Sequence, residues 1–422
     1  VRSLLIPCLL CLASASDCQE PGLPIGDPAS QGFSVERVNR IDLRIKQYID
    51  SGWIKGADAL IARNGRIVYN KAFGVASTEP AVPLGTNAIF RIASQTKAIT
   101  SVAIMMLFEQ GLLLLDDPVS KYIPSMAHPV VLDHFNEKDT TYTTVPAKRE
   151  ITLRDLLTHT SGIDYAQIGS EKMKAIYAKA GILAGFVSDR IKVGDNINKL
   201  GKLPLVHQPG ERFTYGLNTD VLGYVVERIS GETLDQYFRK HIFEPLGMND
   251  TYFYLPPGKS SRLVAVFTPD KQNNLIRWNS STFYHISADY PKSKGTYYSG
   301  GAGLSSTMRD YAIFLQMLLN HGEYNGRRLL ARRTVDLMTS NQIGNLSVDK
   351  DKFGLGFRVT TKAGEAKLGQ SEGSFSWGGF YGTTYWADPK EHLIGLFFAQ
   401  EYPFPHGEIS DKFIAMVYQA LQ

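Results

Sequence analysis

Cysteine is scarce in this chain, with three in 422 residues. Two of them, Cys8 and Cys11, fall in an apolar run at the N-terminus. Beyond that run only Cys18 remains, so no internal disulfide is available and the fold must rest on its hydrophobic core. Nine histidines occur without a His-Glu-x-x-His pair or comparable ligand spacing, so no metal or other cofactor is implied. Neither sign of charge prevails: 45 Lys and Arg against 41 Asp and Glu leave +4. The densest basic group, Arg327, Arg328, Arg332 and Arg333, has no interleaved aromatics and reads as a solvated face, which gives no support to a nucleic-acid partner. No stretch after the N-terminal run is apolar enough to span a membrane, and no repeat of 20–50 residues is visible.

The N-terminal run itself has a form. Arg2 precedes Leu4-Leu5-Ile6-Pro7-Cys8-Leu9-Leu10-Cys11-Leu12, and Ala13-Ser14-Ala15 follows. A basic residue, a short apolar run and an Ala-x-Ala site read as a secretory signal peptide over residues 1–15, cleaved after Ala15. The expected location is therefore secreted or periplasmic. Asp17 before Cys18 makes a poor lipid-attachment signal.

The most informative pair is Ser94 and Lys97. They open a segment, Ser94 to Gln110, that is apolar on nearly every side and is stopped by Gly111. A helix of that kind belongs in a core. Residues i and i+3 lie roughly 5–6 Å apart at Cβ, so a hydroxyl faces an amine in a low-dielectric interior. Burial disfavours the ammonium, and the expectation is a Lys97 that deprotonates more easily than a free lysine and serves Ser94 as base. Spacing alone also fits a capping serine beside a snorkelling lysine; the apolar context favours chemistry. A second match, Ser347-Val348-Asp349-Lys350, lies in a polar stretch and reads as coincidence.

Periodicity gives the coarse organisation. Val38, Ile41, Ile45 and Ile49 recur at helical spacing after Ser34, and Gly52 ends that helix. Asn64-Gly65 between two apolar runs predicts a hairpin. Phe375 to Trp377, Gly382 to Ala387 and Leu393 to Ala399 read as strands, and Glu408 to Leu421 as a last helix. At this length two packed domains are expected. The reading is an α+β fold: one antiparallel sheet completed by both termini and flanked by helices, formed by 33–125 with 291–422. A helix-rich insertion domain spans 126–290.

The run Phe90 to Lys97 resembles the nucleophile motif of the serine β-lactamase and penicillin-binding-protein superfamily, in its class C β-lactamase and esterase branch. Leu115 to Pro124, Leu156 to Gly162 and Pro245 to Thr251 match the same branch in order. The resemblance implies an active site in the groove between the two parts, with Tyr215 in the place of the catalytic tyrosine, where a phenol can relay protons among Ser94, Lys97 and the leaving group. The chain departs from the β-lactamases twice. Asn218 comes one residue later than their Tyr-x-Asn, and is read as a helix cap. Where they carry Lys-Thr-Gly, this chain has Trp377-Gly378-Gly379, which is similar to the β-lactamase-like carboxylesterases (family VIII). The N–H groups of Ser94 and Phe380 would form the oxyanion hole, and Trp377, Gly378 and Gly379 would line the substrate site.

Gly369-Gln370-Ser371-Glu372-Gly373 fits the nucleophile elbow of α/β-hydrolases, with Asp388 and His392 or His406 downstream. The elbow needs a strand before it and a helix after it; here a polar stretch precedes and a strand follows, so it reads as a loop. His159 reads as structural. The expected function is a secreted serine hydrolase that forms an acyl-enzyme on Ser94 and acts on short-chain esters or related amides. The alternatives are a class C-type β-lactamase or D-alanyl peptidase, and a non-catalytic penicillin-binding-like structural or sensor protein.

Overall fold

The first helix, α1 (Val35–Asp50), starts where Ser34 accepts the Arg37 N–H and buries Val38, Ile41, Ile45 and Tyr48. Gly52 ends it with φ of 72°. The computed structural model describes residues 22–188, 190–278 and 287–422. The signal peptide read at 1–15 and Cys18 lie outside them.

Three strands follow α1: β1 (Gly56–Arg63), β2 (Arg66–Thr78) and β3 (Ala81–Pro83). Asn64 and Gly65 both take positive φ, 52° and 74°, which is the turn that an Asn-Gly hairpin demands. Helix α2 (Thr96–Glu109) comes next, then α3 (Asn218–Ser230) and α4 (Met308–Leu319). The chain then returns to the sheet with β4 (Lys352–Phe353) and β5 (Arg358–Val359). After α5 (Lys362–Leu368) come β6 (Phe375–Gly379), β7 (Thr383–Asp388), β8 (Leu393–Phe398) and α6 (Glu408–Gln419).

The eight strands form one antiparallel sheet in the order β4-β5-β6-β7-β8-β1-β2-β3. Its centre joins the first strand to the last, with Leu60 opposite Leu396. All eight come from residues 56–83 and 352–398, on either side of the segment 126–290. That segment holds helices and also two small hairpins, Val130–Phe135 with Tyr142–Pro146 and Phe267–Pro269 with Leu275–Arg277.

Period-two alternation sorts the strand residues between two cores. Ala57, Ala59 and Ile61 face α1 and α6, with Ile45 and Phe413. Leu60 and Ala62 face the other way, towards α2, α3 and α4. Helix α2 is buried at every position from Thr96 to Met105, as its uniform apolarity predicts. It packs against α3 and carries the residues in front of it to the centre of the molecule.

Candidate active site

Ser94 does not lie in the first turn of α2, as the spacing predicts, but in a 3-10 turn (Ala93–Gln95) that leads into it. Ala93 holds φ of 45°, a left-handed conformation that a non-glycine residue adopts at a cost of about 1–3 kcal/mol. The turn presents Ser94 half-exposed while both its neighbours are buried. Strand β6 runs alongside. A Cβ on Gly379 would stand 2.5 Å from the Ile92 carbonyl oxygen, so only glycine lets the strand come this close to the turn that carries Ser94. Strand β5 pairs with β6 only at Ser376 and Phe375, so Trp377, Gly378 and Gly379 have a strand partner on one side only. Their free side opens onto a cavity of about 740 Å³ that Ser94, Tyr215 and Phe380 also line.

Lys97 is buried, and its Nζ donates to Ser94 Oγ at 3.2 Å, Tyr165 Oη at 3.0 Å and the Gly301 carbonyl at 2.7 Å. Three acceptors match the three protons of an ammonium. The ring centroid of Tyr215 lies 4.6 Å from the same nitrogen. This corrects the expectation for Lys97. Burial does pull its pKa down, but the phenols of Tyr165 and Tyr215 pull it up by more, and the lysine stays protonated above its ordinary range. The sequence could not reveal the outcome, because the phenols arrive from elsewhere in the chain. Tyr165, itself pushed above the ordinary phenol range by burial against the opposing pull of Lys97, was not foreseen at all. It follows His159-Thr160-Ser161-Gly162, and nothing in that motif indicates which way the tyrosine turns.

Tyr215 accepts the indole N–H of Trp377 at 3.3 Å. Its ring packs on His159 at 5.0 Å and Tyr165 at 5.3 Å between centroids. His159 is fully buried, and burial together with Lys97 drives its pKa well below the usual imidazole value. A neutral imidazole with Nδ1 bonded to Asn218 Nδ2 at 2.9 Å is a supporting group, as the sequence suggests. Asn218 itself is not the cap that it resembles. It is the first residue of α3, makes no capping bond, and turns inward to take a hydrogen bond from Ser161.

Ser94, Lys97, Tyr215, Trp377, Gly378, Gly379 and Phe380 thus meet at one place. Beside Ser94 opens a second, smaller recess of about 30 Å³, lined by Tyr165, Ile168, Ala184, Phe186, Ala302 and Phe380. The competing pentapeptide is elsewhere. Ser371 follows α5 and precedes β6, the reverse of an elbow, and its backbone N–H donates to Asp388. Asp388 also accepts from Lys390, Glu391 and Tyr418, and His406 stacks on Trp53. Ser347 and Lys350 are both exposed. Among the described residues no group of three or more His, Cys, Asp or Glu is placed to hold a metal ion.

A nucleophile whose hydroxyl shares an amine with a phenol, beside a strand of free backbone, can perform acyl transfer. Comparison with known proteins agrees. The sequence model of the Beta-lactamase family matches residues 41–418. Protein Rv1367c of Mycobacterium tuberculosis is 33% identical over 381 residues, 85% of this chain and 89% of the relative. Esterase EstB of Burkholderia gladioli is 28% identical, covering 86% and 90%. Among solved structures, EstCE1, described as a hydrolase with promiscuous acyltransferase activity, superposes with a TM-score of 0.77 at 27% identity, covering 90% of this chain and 98% of its own.

Proposed function

We propose that this chain, which belongs to the Beta-lactamase family, is a carboxylesterase that works through an acyl-enzyme on Ser94. One observation carries the reading: Lys97 Nζ bonds to Ser94 Oγ and Tyr165 Oη at once, at the edge of a cavity that Trp377 lines at the β6 position where the β-lactamases carry a lysine. Ser94 Oγ attacks the ester carbonyl as its proton passes to Lys97 in its amine form. The N–H groups of Ser94 and Phe380 take the oxyanion, and the phenols of Tyr165 and Tyr215 are placed to return a proton to the departing alcohol. Water then releases the acyl group.

Selectivity follows from the walls. With Trp377 in place of that lysine, β6 itself offers no cation to the carboxylate of a penicillin, and Arg358 and Lys367, which line the same cavity, are ion-paired with Asp351 and Asp411. The small recess holds about one water's volume, enough for the end of a short acyl chain. The large cavity takes the alcohol half. Its size supports a second reading, transfer of the acyl group to an acceptor alcohol, an activity that the name of EstCE1 ascribes to that protein. Export from the cytoplasm, proposed from residues 1–15, is checked by N-terminal sequencing of the mature protein.

The test sets p-nitrophenyl acetate and butyrate beside a penicillin, a chromogenic cephalosporin and D-alanyl peptides. Short esters are expected to exceed penicillins in kcat/KM by about tenfold or more. Efficient penicillin or D-alanyl-peptide hydrolysis with negligible esterase activity would overturn the ester assignment. Absence of turnover on every substrate would favour the non-catalytic alternative. Product partitioning in added short alcohols separates transfer from hydrolysis.

A further inference from the structure

The Gly301 carbonyl makes the shortest of the three hydrogen bonds to Lys97, and what holds that carbonyl in place is a buried carboxylate. Asp220 lies in the first turn of α3, 1% exposed. Its Oδ1 accepts the hydroxyl of Ser299 at 2.5 Å, and the Gly301 N–H also donates to the carboxylate. Ser299 Oγ in turn accepts the Ala302 N–H at 3.1 Å. The loop from Ser299 to Gly303 is thereby folded around one anion, with its carbonyls turned to other partners. Gly300 O accepts from Thr100, Gly301 O from Lys97, and Gly303 O from Tyr290. The approach is as close as chemistry permits: a Cβ on Gly301 would stand 2.3 Å from Asp220 Oδ2.

A buried carboxylate without a direct cation is costly unless a positive charge lies nearby. Here that charge is Lys97: burial pushes the Asp220 carboxyl above its ordinary range, and the attraction of Lys97 and the hydrogen bonds from Ser299 and Gly301 oppose that push without reversing it. The other titratable groups around the pair are Tyr165 and Tyr297, which feel the Asp220 charge, and Tyr215 and His159, which feel Lys97. None of these four is a cation in its ordinary state here.

We propose that Asp220 is a positioning residue for the acyl-transfer reaction: through Ser299 and Gly301 it fixes the third acceptor of Lys97 and supplies the anion that balances the lysine's charge. The inference rests on the reading of Ser94 and Lys97 as nucleophile and base. Asp220 touches no substrate. It acts by aiming Lys97 Nζ between Ser94 and Tyr165 and by setting the pH at which that nitrogen yields its proton.

The test is Asp220→Asn in the full chain, with kcat and KM on p-nitrophenyl acetate followed against pH and folding checked by circular dichroism. With the two profiles aligned on their rising limbs, kcat is expected to be lower by about tenfold or more in the variant, with KM within about twofold. The rising limb is expected to move to lower pH by about one unit, because Lys97 and Tyr165 lose the anion that holds their protons. Asp220→Glu keeps the charge and is expected to keep the limb. Ser299→Ala leaves the carboxyl in place but frees the loop, and is expected to lower kcat while moving the limb less than Asp220→Asn does. A folded Asp220→Asn enzyme with wild-type kcat and limb overturns the proposal. Should that variant not fold, wild-type kcat in Ser299→Ala overturns it instead. Ser94→Ala isolates the premise: activity surviving that change defeats the nucleophile reading itself, whereas its loss beside an unmoved Asp220→Asn profile defeats this inference alone.

Discussion

The indole N–H of Trp377 donates to the hydroxyl oxygen of Tyr215 at 3.3 Å, while the Tyr215 ring centroid stands 4.6 Å from Lys97 Nζ. Trp377 is therefore tied to the phenol proposed to relay protons as well as forming a wall. Trp377→Phe keeps the aromatic surface and removes the donor. Steady-state kinetics on p-nitrophenyl acetate should show kcat reduced by up to about tenfold, one hydrogen bond's worth, with KM little changed. Trp377→Lys should shift preference towards anionic substrates.

Nucleophile identity separates the two serine motifs. Ser94→Ala should cost up to about 10⁶-fold in kcat. Ser371→Ala should remain near wild type, since Ser371 lies between α5 and β6 with its N–H bonded to Asp388. Peptide mapping after a fluorophosphonate probe should find the label on Ser94, and a label on Ser371 would restore the rival reading.

Tyr165 and Lys97 act as one unit in this geometry. Tyr165→Phe, Tyr215→Phe and Lys97→Ala should each lower kcat in a folded enzyme, and the double variants should lose less than the sum in free energy. Full activity in Tyr165→Phe would reduce the 3.0 Å bond to a packing detail.

The raised pKa of Lys97 has a direct consequence for rate. Its amine form is scarce near neutrality and grows tenfold with each pH unit below that pKa, so kcat/KM should climb steadily between about pH 6 and 9. Tyr165→Phe removes a phenol that raises Lys97, so the climb should begin at lower pH. A wild-type plateau reached below about pH 7 would contradict the assignment.

Asp58, on β1, is completely buried, and burial against the opposing Ala59 N–H pushes its carboxyl up to about 7. The folded state then holds a proton that the unfolded chain releases above about pH 4. Its contribution to stability is present below that pH and is lost as pH rises to about 7. Asp58→Asn removes the titration, so thermal melts should show the variant gaining on wild type between pH 5 and pH 8. An equal difference at both values would show that Asp58 does not titrate in this range.

Much of the site was legible because it is local. The three-residue spacing of Ser94 and Lys97 brings them together across the 3-10 turn into α2, and a segment apolar on every side can only run through a core. The Asn64-Gly65 hairpin and the helix after Ser34 follow from turn and cap chemistry, and both are found. The joining of β1 to β8 follows from strand patterns at both ends of the chain.

What surrounds Lys97 could not be read in the same way. Tyr165, Tyr215 and Gly301 are separated from it by 68 residues or more along the chain, and only packing brings them to one nitrogen. Burial, which sequence does foretell, argued for a neutral lysine. The neighbouring phenols of Tyr165 and Tyr215, which it does not, reversed the outcome. Asn218 shows the same limit on a smaller scale: its position suits a cap, but His159 and Ser161 offer its amide partners inside the core. The sequence by itself determined that Ser94 and Lys97 stand together at the head of a buried helix. The tertiary structure alone decided the charge on Lys97, because a buried group's proton is governed by the few atoms that touch it, and those atoms come from distant parts of the chain.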